Sequence, residues 1–330
     1  MPAANLSFDT ILSTTMNKYR GRLEDNIFRA NPLMYWLQET NRVDKQDGGA
    51  SLVVPIIAVN PAVSLSYTDY DAFTTQITGA QAAQLDAANY AWRQFAGVVA
   101  ISGIEEAKNN GVSQVIKLLD AKVQLTELSM AEALDQMFFL NGTGNSGKDW
   151  FGLAAIVSDV NAGASAGGNT SGFIGGIDRT AAPGSTMWKS YVEATAEVLT
   201  LARMTTAYNS VSKGNDHPDL GLTTQSLFEK YEGLLQPQAR YTDMRTADGG
   251  FQNLLFKGMV LMFDLYAQSA TMYFLNSKYL KLLGHTQTWF RNTPWIKRHD
   301  MDARFMQVLS YGNMTASNVS RQGKLTGKTP

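Results

Sequence analysis

The chain has 330 residues, 44% hydrophobic and 17% charged, with 28 Lys and Arg against 29 Asp and Glu for a net charge of −1. Its apolar content excludes wholesale disorder, and its length allows one large domain or two ordinary ones. It contains no cysteine, which removes disulfides, thiolate metal sites and cysteine nucleophiles together. The longest apolar runs, Ser51–Val59 and Leu254–Phe263, are broken by Pro55 and Lys257 and fall far short of the ~20 residues of a membrane span. Met1–Asn5 opens onto no apolar run, so no secretory leader is expected.

Residues 7–27 carry Phe8, Ile11, Leu12, Met16, Tyr19, Leu23 and Ile27 at three- and four-residue steps, the pattern of an amphipathic helix capped by Ser7. Asn31-Pro32 interrupts it, Leu33–Glu39 makes a second, short helix, and Asp47-Gly48-Gly49 turns the chain. Ser51–Val59 and Gln84–Ile101 then read as two extended arms, with Val63, Leu65 and Tyr67 alternating between them and Ile77–Ala83 at the tip. Asp86, Asn89, Arg93 and Gln94 fall on both sides of the alternation, so neither arm has a clean apolar face. An isolated two-stranded ribbon is marginal in water, and this one is expected to lie on another surface. The alternative is a pair of ordinary edge strands.

Ser113 caps the strongest helix, running to about Phe139 and stopped by Asn141-Gly142, roughly 40 Å long at about 1.5 Å per residue. Val115, Leu118, Leu119, Val123 and Leu125 share one face, while Ala131, Leu134 and Phe138 share another, rotated by roughly a third of a turn. Phe151–Val157 reads as a strand, Asn161–Gly176 as a loop, and Trp188–Tyr208 as a helix with Tyr191, Val192, Thr195, Val198, Leu199 and Ala202 on one face. A strand at Leu220–Thr224, a helix at Gln225–Leu235 and a strand at Leu254–Asp264 follow. Met272–Leu283, Gln287–Lys297 and Ala303–Tyr311 read as three successive antiparallel strands. The class is α+β.

Chemistry is sparse. Gly142-Thr-Gly-Asn-Ser-Gly-Lys148 fits a phosphate-binding loop, but Asp149 stands where a hydroxyl should hold magnesium, and a helix precedes the motif where a strand should. His217, His285 and His299 lie far apart with no partner at metal-ligand spacing. Glu105-Glu106 reads as a solvated corner, and Trp289 and Trp295 among Arg291, Lys297 and Arg298 as strand packing rather than a base-stacking platform. No catalytic, cofactor or metal residues are assigned, and no enzyme activity is expected. Low charge density favours large protein–protein contacts. Residues 285–330 hold seven cations against Asp300 and Asp302, a net of +5, which leaves −6 for the rest and makes these strands the candidate polyanion-facing surface.

The order of elements resembles the major capsid proteins of tailed bacteriophages. The resemblance rests on the N-terminal helix, the long hairpin, and the spine helix ending in Leu140-Asn-Gly-Thr-Gly144 with Phe151-Gly-Leu153 after it. Leu220–Phe228, Phe256–Asp264, Met272–Leu280 and Tyr311–Thr315 extend it along the chain. It implies the Hong Kong 97-like coat fold, with residues 1–46 as an N-terminal arm and 47–101 as the extended loop lying over a neighbour. Residues 102–150 and 271–330 would form the peripheral domain, and 151–270 the axial domain. It further implies self-assembly into pentameric and hexameric capsomers of an icosahedral shell around double-stranded DNA. The expected partners are copies of the chain, a separate scaffolding protein, a portal, decoration proteins and non-specifically contacted DNA, with no membrane. Assembly is expected in the host cytoplasm and residence in the virion. Some relatives cross-link through a loop lysine; none stands between Lys45 and Lys108 here, so a non-covalent shell is expected. Encapsulin shells, which enclose a cargo enzyme, resemble the same pattern and are the alternative.

Overall fold

The computed structural model describes residues 31–57, 85–108, 112–158, 173–179, 187–235, 253–297 and 299–330. The helix expected over 7–27, the alternating Val63, Leu65 and Tyr67, and the hairpin tip Ile77–Ala83 lie outside them. The described chain begins with α1 (Pro32–Glu39), β1 (Val43–Gln46), β2 (Leu52–Ile57), β3 (Leu85–Tyr90), β4 (Arg93–Ser102), α2 (Gly103–Lys108) and the long helix α3 (Val112–Phe139). A single turn, α4 (Leu153–Ile156), precedes the short strands β5 (Phe173–Ile174) and β6 (Ile177–Asp178). Next come β7 (Tyr191–Glu193), β8 (Glu197–Val198), α5 (Leu201–Val211), β9 (Leu220–Thr223), α6 (Gln225–Leu235), β10 (Asn253–Phe256) and β11 (Met259–Phe263). The chain ends with β12 (Met272–Leu275), β13 (Leu280–His285), β14 (Arg291–Asn292), β15 (Ile296–Lys297), β16 (Ala303–Ala316), β17 (Gly323–Leu325) and β18 (Lys328–Thr329).

Two six-stranded sheets organise it. In the first, β16 is the central strand: β4 pairs along one edge from Ser102 to Arg93, and β13, β14 and β15 share the other, with β1 parallel to β13 outside. In the second the order is β10-β11-β9-β12-β17-β7. The side-chain alternation of its central strands explains its place in the molecule. Met272 and Phe274 face α5 and α6, packing with Met204, Tyr208, Leu227 and Phe228. Tyr273 and Leu275 face the other way, into the core shared with α3. Both faces being covered, β9 and β12 are buried at every position rather than alternately.

The spine α3 spans 28 residues. It buries Val123, Met130, Ala131, Leu134 and Phe138 along one stripe at steps of three, four and seven. Leu125, expected on a buried face, is instead 66% exposed, as is its neighbour one turn on, Leu128, at 67%. The side chains of Val115, Leu118 and Leu119 lie outside the described ones. At the other end of the core, Asn31 leaves the α1 cap position unused. Its amide donates to Ala131 O at 3.0 Å, tying the start of α1 to the spine. Pro32 sits at the first helical position, where its missing N–H costs no hydrogen bond.

Several expectations need correction. Phe151–Val157 is not a strand; a seven-residue apolar run has no period that separates a strand from a buried helical turn. Here Gly152 decides, because a Cβ on it would lie 2.3–2.6 Å from the carbonyl oxygens of Leu140, Met137 and Phe138 at the end of α3. The chain presses against the spine there and coils into α4. The helix expected from Trp188 begins only at Leu201, where Thr200 Oγ1 accepts from Arg203 N at 3.4 Å; the β-branched stretch before it forms β7 and β8. The long strand Leu254–Asp264 is a hairpin folded at Lys257-Gly258, both in the left-handed region (φ 50° and 85°). Asn161–Gly176 does not stay a loop to its end, since Phe173–Ile174 pairs with Ile177–Asp178. Met272–Leu283 is two strands in two sheets, separated by the 3-10 turn Ser277–Tyr279 that Asn276 caps. Gln287–Lys297 keeps only the two-residue pairings of β14 and β15.

The hairpin is also shorter than expected. Its second arm leaves the ribbon at Tyr90, and Arg93–Ser102 belongs to the first sheet. Its base is not without a core either: Leu52, Ala88 and Tyr90 are fully buried, and Tyr90 Oη donates to Ala316 O at 3.0 Å. A boundary at residue 270 divides the second sheet, because β12 and β17 complete it from beyond that point.

Candidate functional site

The loop closing the spine helix carries the one phosphate-loop-like string, and its backbone answers the question. Thr143 N donates to Asn141 Oδ1 at 3.1 Å, Gly147 N to Thr143 O at 3.0 Å and Lys148 N to Gly144 O at 3.2 Å. These three amides, and that of Asp149, which donates to Gly144 O at 3.4 Å, are occupied internally. Arg93 reaches in from β4, its Nη1 donating to Gly142 O at 2.8 Å and to Asp149 O, while its guanidinium stacks 4.2 Å from the centre of the Phe151 ring. The loop is a bracket between β4 and the helix exit.

The other titratable candidates are equally structural. His217 stacks on Tyr208 at 5.8 Å, His285 lies edge-on to Trp92 at 5.5 Å, and His299 is exposed in a separate loop. Among the described residues no three His, Asp or Glu side chains converge as metal ligands. Glu105 forms a capping box that sequence reading missed: Ser102 N donates to Glu105 Oε2 at 3.0 Å and Glu105 N to Ser102 Oγ at 3.3 Å, at the start of α2. Its bond to Lys122 Nζ at 2.6 Å holds the carboxyl below the usual range. The side chain of Glu106 lies outside the described ones. Trp289 is buried against Trp150 at 6.1 Å between ring centres, so it offers no stacking platform to solvent.

The basic C-terminal stretch is not one surface. Lys328 is buried, its Nζ bonding Glu197 Oε1 at 2.7 Å, Glu193 Oε1 at 2.9 Å and Thr195 O at 3.0 Å. Arg203 Nε closes the cluster from outside at 2.8 Å from Glu197. Lys324 is only 7% exposed, and Lys297 pairs with Asp302 at 3.2 Å. The cations that the sequence groups together are thus divided between interior and surface, because Lys324 and Lys328 belong to strands of the inner assembly.

What the molecule does present is an open sheet face. On β4 the residues Arg93, Phe95, Gly97, Val99 and Ile101 turn inward, with Gly97 against the Met130 and Thr126 side chains of the spine. Ala96, Val98 and Ala100 point the other way, in register with Leu309, Gln307 and Phe305 of β16, and Ile296 of β15 stands beside Phe305. Val98 and Ile296 are 54% and 59% exposed. The face runs into a hollow of about 710 Å³ at the spine exit, whose walls include Trp92, Tyr311, Lys148 and Asp149. A shallow, mostly apolar face, with the exposed Arg291 beside Leu309 at its edge, suits covering by another polypeptide better than holding a small molecule.

A last pair of groups was invisible in the sequence. Asp135 of the spine and Asp264 at the end of β11 are each 4% exposed and face one another. Burial first, then the neighbouring acid, raises the Asp135 carboxyl far above its ordinary value.

No protein-family model matches the chain, and no curated protein matches it in sequence. Solved structures do match in fold. A chain of the cyanophage A-1(L) capsid asymmetric unit superposes with TM-score 0.61 at 16% identity, covering 88% of this chain and 91% of that one. The SrpI encapsulin of Synechococcus elongatus PCC 7942, solved as a holo complex, gives 0.55 at 12% identity over 89% and 87%. The capsid of the native GTA particle gives 0.51 at 10% identity over 89% and 90%. At such identities the likeness is one of fold.

Proposed function

We propose that this chain, which has the Hong Kong 97-like coat fold, is a structural major capsid protein that assembles with its own copies into an icosahedral head. The observation that carries the reading is coverage: the likeness in fold takes in 88% of this chain and 91% of a phage capsid chain. The open face formed by Ala96, Val98, Ala100, Phe305 and Leu309 supports it, since a shell subunit must bury such surfaces between copies. On this reading residues 1–46 are the arm, and the ribbon of β2 and β3 is the root of the extended loop. The first sheet with the spine forms the peripheral domain and the second sheet the axial one. The packaged double-stranded DNA is touched non-specifically, through those C-terminal cations that assembly leaves exposed. A scaffolding protein, a portal and decoration proteins complete the partners, with assembly in the host cytoplasm.

Electron microscopy of the purified full chain tests this. Closed shells, tubes or capsomer rings are the expected result, and a chain that stays monomeric even when co-expressed with its neighbouring genes refutes it. Deleting residues 75–85 is expected to leave soluble subunits that form no shells. Denaturing gels of finished particles are expected to show monomer alone, since no lysine lies between Lys45 and Lys108; a ladder of multimers overturns the non-covalent shell. The encapsulin match supports a second reading, a shell around a cargo enzyme. Particles purified from the native source decide between them by their contents, nucleic acid or protein.

A further inference from the structure

The spine helix and the second sheet meet through two acids. Asp264 is fixed from its own side, its amide donating to Thr223 O at 3.0 Å and its Oδ1 accepting from Tyr266 N at 2.9 Å. Tyr266 then reaches back to the spine, where its hydroxyl donates to Glu132 Oε1, one turn before Asp135. Among the described residues, the groups that bear on this junction are Asp135, Glu132 and Gln136 from α3 and Asp264 and Tyr266 from the other side, and no Lys or Arg of them acts on either buried carboxyl. Asp135 Oδ1 and Asp264 Oδ2 have no donor among the described residues. Two carboxylates are acceptors only, and side by side in a buried, cation-free place they repel. The contact becomes a bond when one of them carries a proton.

We propose that the Asp135–Asp264 pair is a proton-operated fastener between the spine helix and the second sheet. With one shared proton the end of β11 is bonded to α3; without it, two like charges press the joint apart. The direction opposes ordinary acid denaturation. In the opened joint an aspartate releases its proton near pH 4, whereas in the closed joint Asp135 keeps it up to about 8. The stabilisation is therefore complete below about pH 4 and is lost as pH rises through about 8, with opening favoured about tenfold per pH unit in between.

Hydrogen exchange of the full chain, corrected for intrinsic rates, reads this at the amides of residues 264–267 between pH 5 and 8. Wild type is expected to lose protection steadily across that range. Asp135→Asn, whose amide donates to Asp264 without a proton, is expected to hold constant protection, and Asp264→Asn does the same from the other side should the first variant fold poorly. Glu132→Gln is expected to keep the wild-type slope. Equal slopes in wild type and both asparagine variants overturn the proposal, as does a slope abolished by Glu132→Gln.

Discussion

Replacing Lys328 by Met keeps most of the buried stem and removes the charge. The ammonium side chain is fully buried and has three acceptors for its three protons, so it is completely satisfied where it stands. Without it, Glu193, itself only 10% exposed at its side chain, retains Arg203 at 3.6 Å as its cation. Breaking a buried pair by deleting one partner costs about 3–5 kcal/mol. At about 2–4 °C per kcal/mol for chains of this order of size, the melting temperature falls by roughly 6–20 °C. Lys328→Ala adds the loss of three buried methylenes, about 2 kcal/mol more. Urea unfolding of unassembled subunits, followed by tryptophan fluorescence, measures both. There is a pH signature as well. The hydrogen bond from Lys328 holds Glu197 below its ordinary range, so that stabilisation is present above about pH 4.3 and is lost as pH falls through the depressed value. The acid limb of the stability curve is accordingly steeper in wild type than in Lys328→Met. A Met variant within about 0.5 kcal/mol of wild type, with the same acid limb, refutes the assignment of the cluster as the anchor of the last strand.

Gly152→Ala places a methyl among three carbonyl oxygens and is expected to cost at least the ~1–3 kcal/mol of overpacking, read as a lowered urea midpoint. Asn313→Ala removes the acceptor of Phe151 N at 2.8 Å and the donor to Ala91 O at 3.0 Å; with buried backbone groups left unpaired, a loss of about 2–4 kcal/mol is expected in the same assay. Equilibrium titration with an ATP analogue is expected to show no binding for wild type or Lys148→Ala, and saturable binding lost in the variant would reverse the reading of that loop. Charging the open sheet face with Val98→Glu is expected to leave the subunit's unfolding free energy within about 1 kcal/mol of wild type while blocking particle formation, seen by sedimentation.

What could be read from the sequence was whatever carried its own period or punctuation. Asn31-Pro32 and Asn141-Gly142 mark element ends, and the structure keeps them within a residue or two. The spine helix was legible for the same reason, and the sequence of elements led to the right fold. The failures share a cause. Phe151–Val157, Trp188–Thr200 and Met272–Leu283 are apolar stretches whose conformation is settled by what lies across from them: the carbonyl ends of α3, the strand β17, and two different sheets. No local signal states that. The buried groups were hidden likewise. Asp135 looks like one more polar residue on an amphipathic helix, and Lys328 like one more tail cation, until Asp264 and Glu197, 129 and 131 positions away in sequence, are brought beside them. The Ser102–Glu105 capping box was in plain view at its usual spacing and was overlooked.

The sheet orders also impose a timetable on synthesis. Val43–Gln46 leave the ribosome among the first described residues, yet their partner Leu282–His285 follows some 240 positions later. Arg93–Ser102 must wait for Ala303–Gly312, and Tyr191–Glu193 for Gly323–Leu325. Neither sheet can close until almost the whole chain has emerged, so a nascent or truncated subunit holds open strand edges and cannot offer a finished outer face to its neighbours. On the shell-protein reading proposed above, completion of the polypeptide itself becomes the checkpoint that keeps half-made subunits out of the lattice.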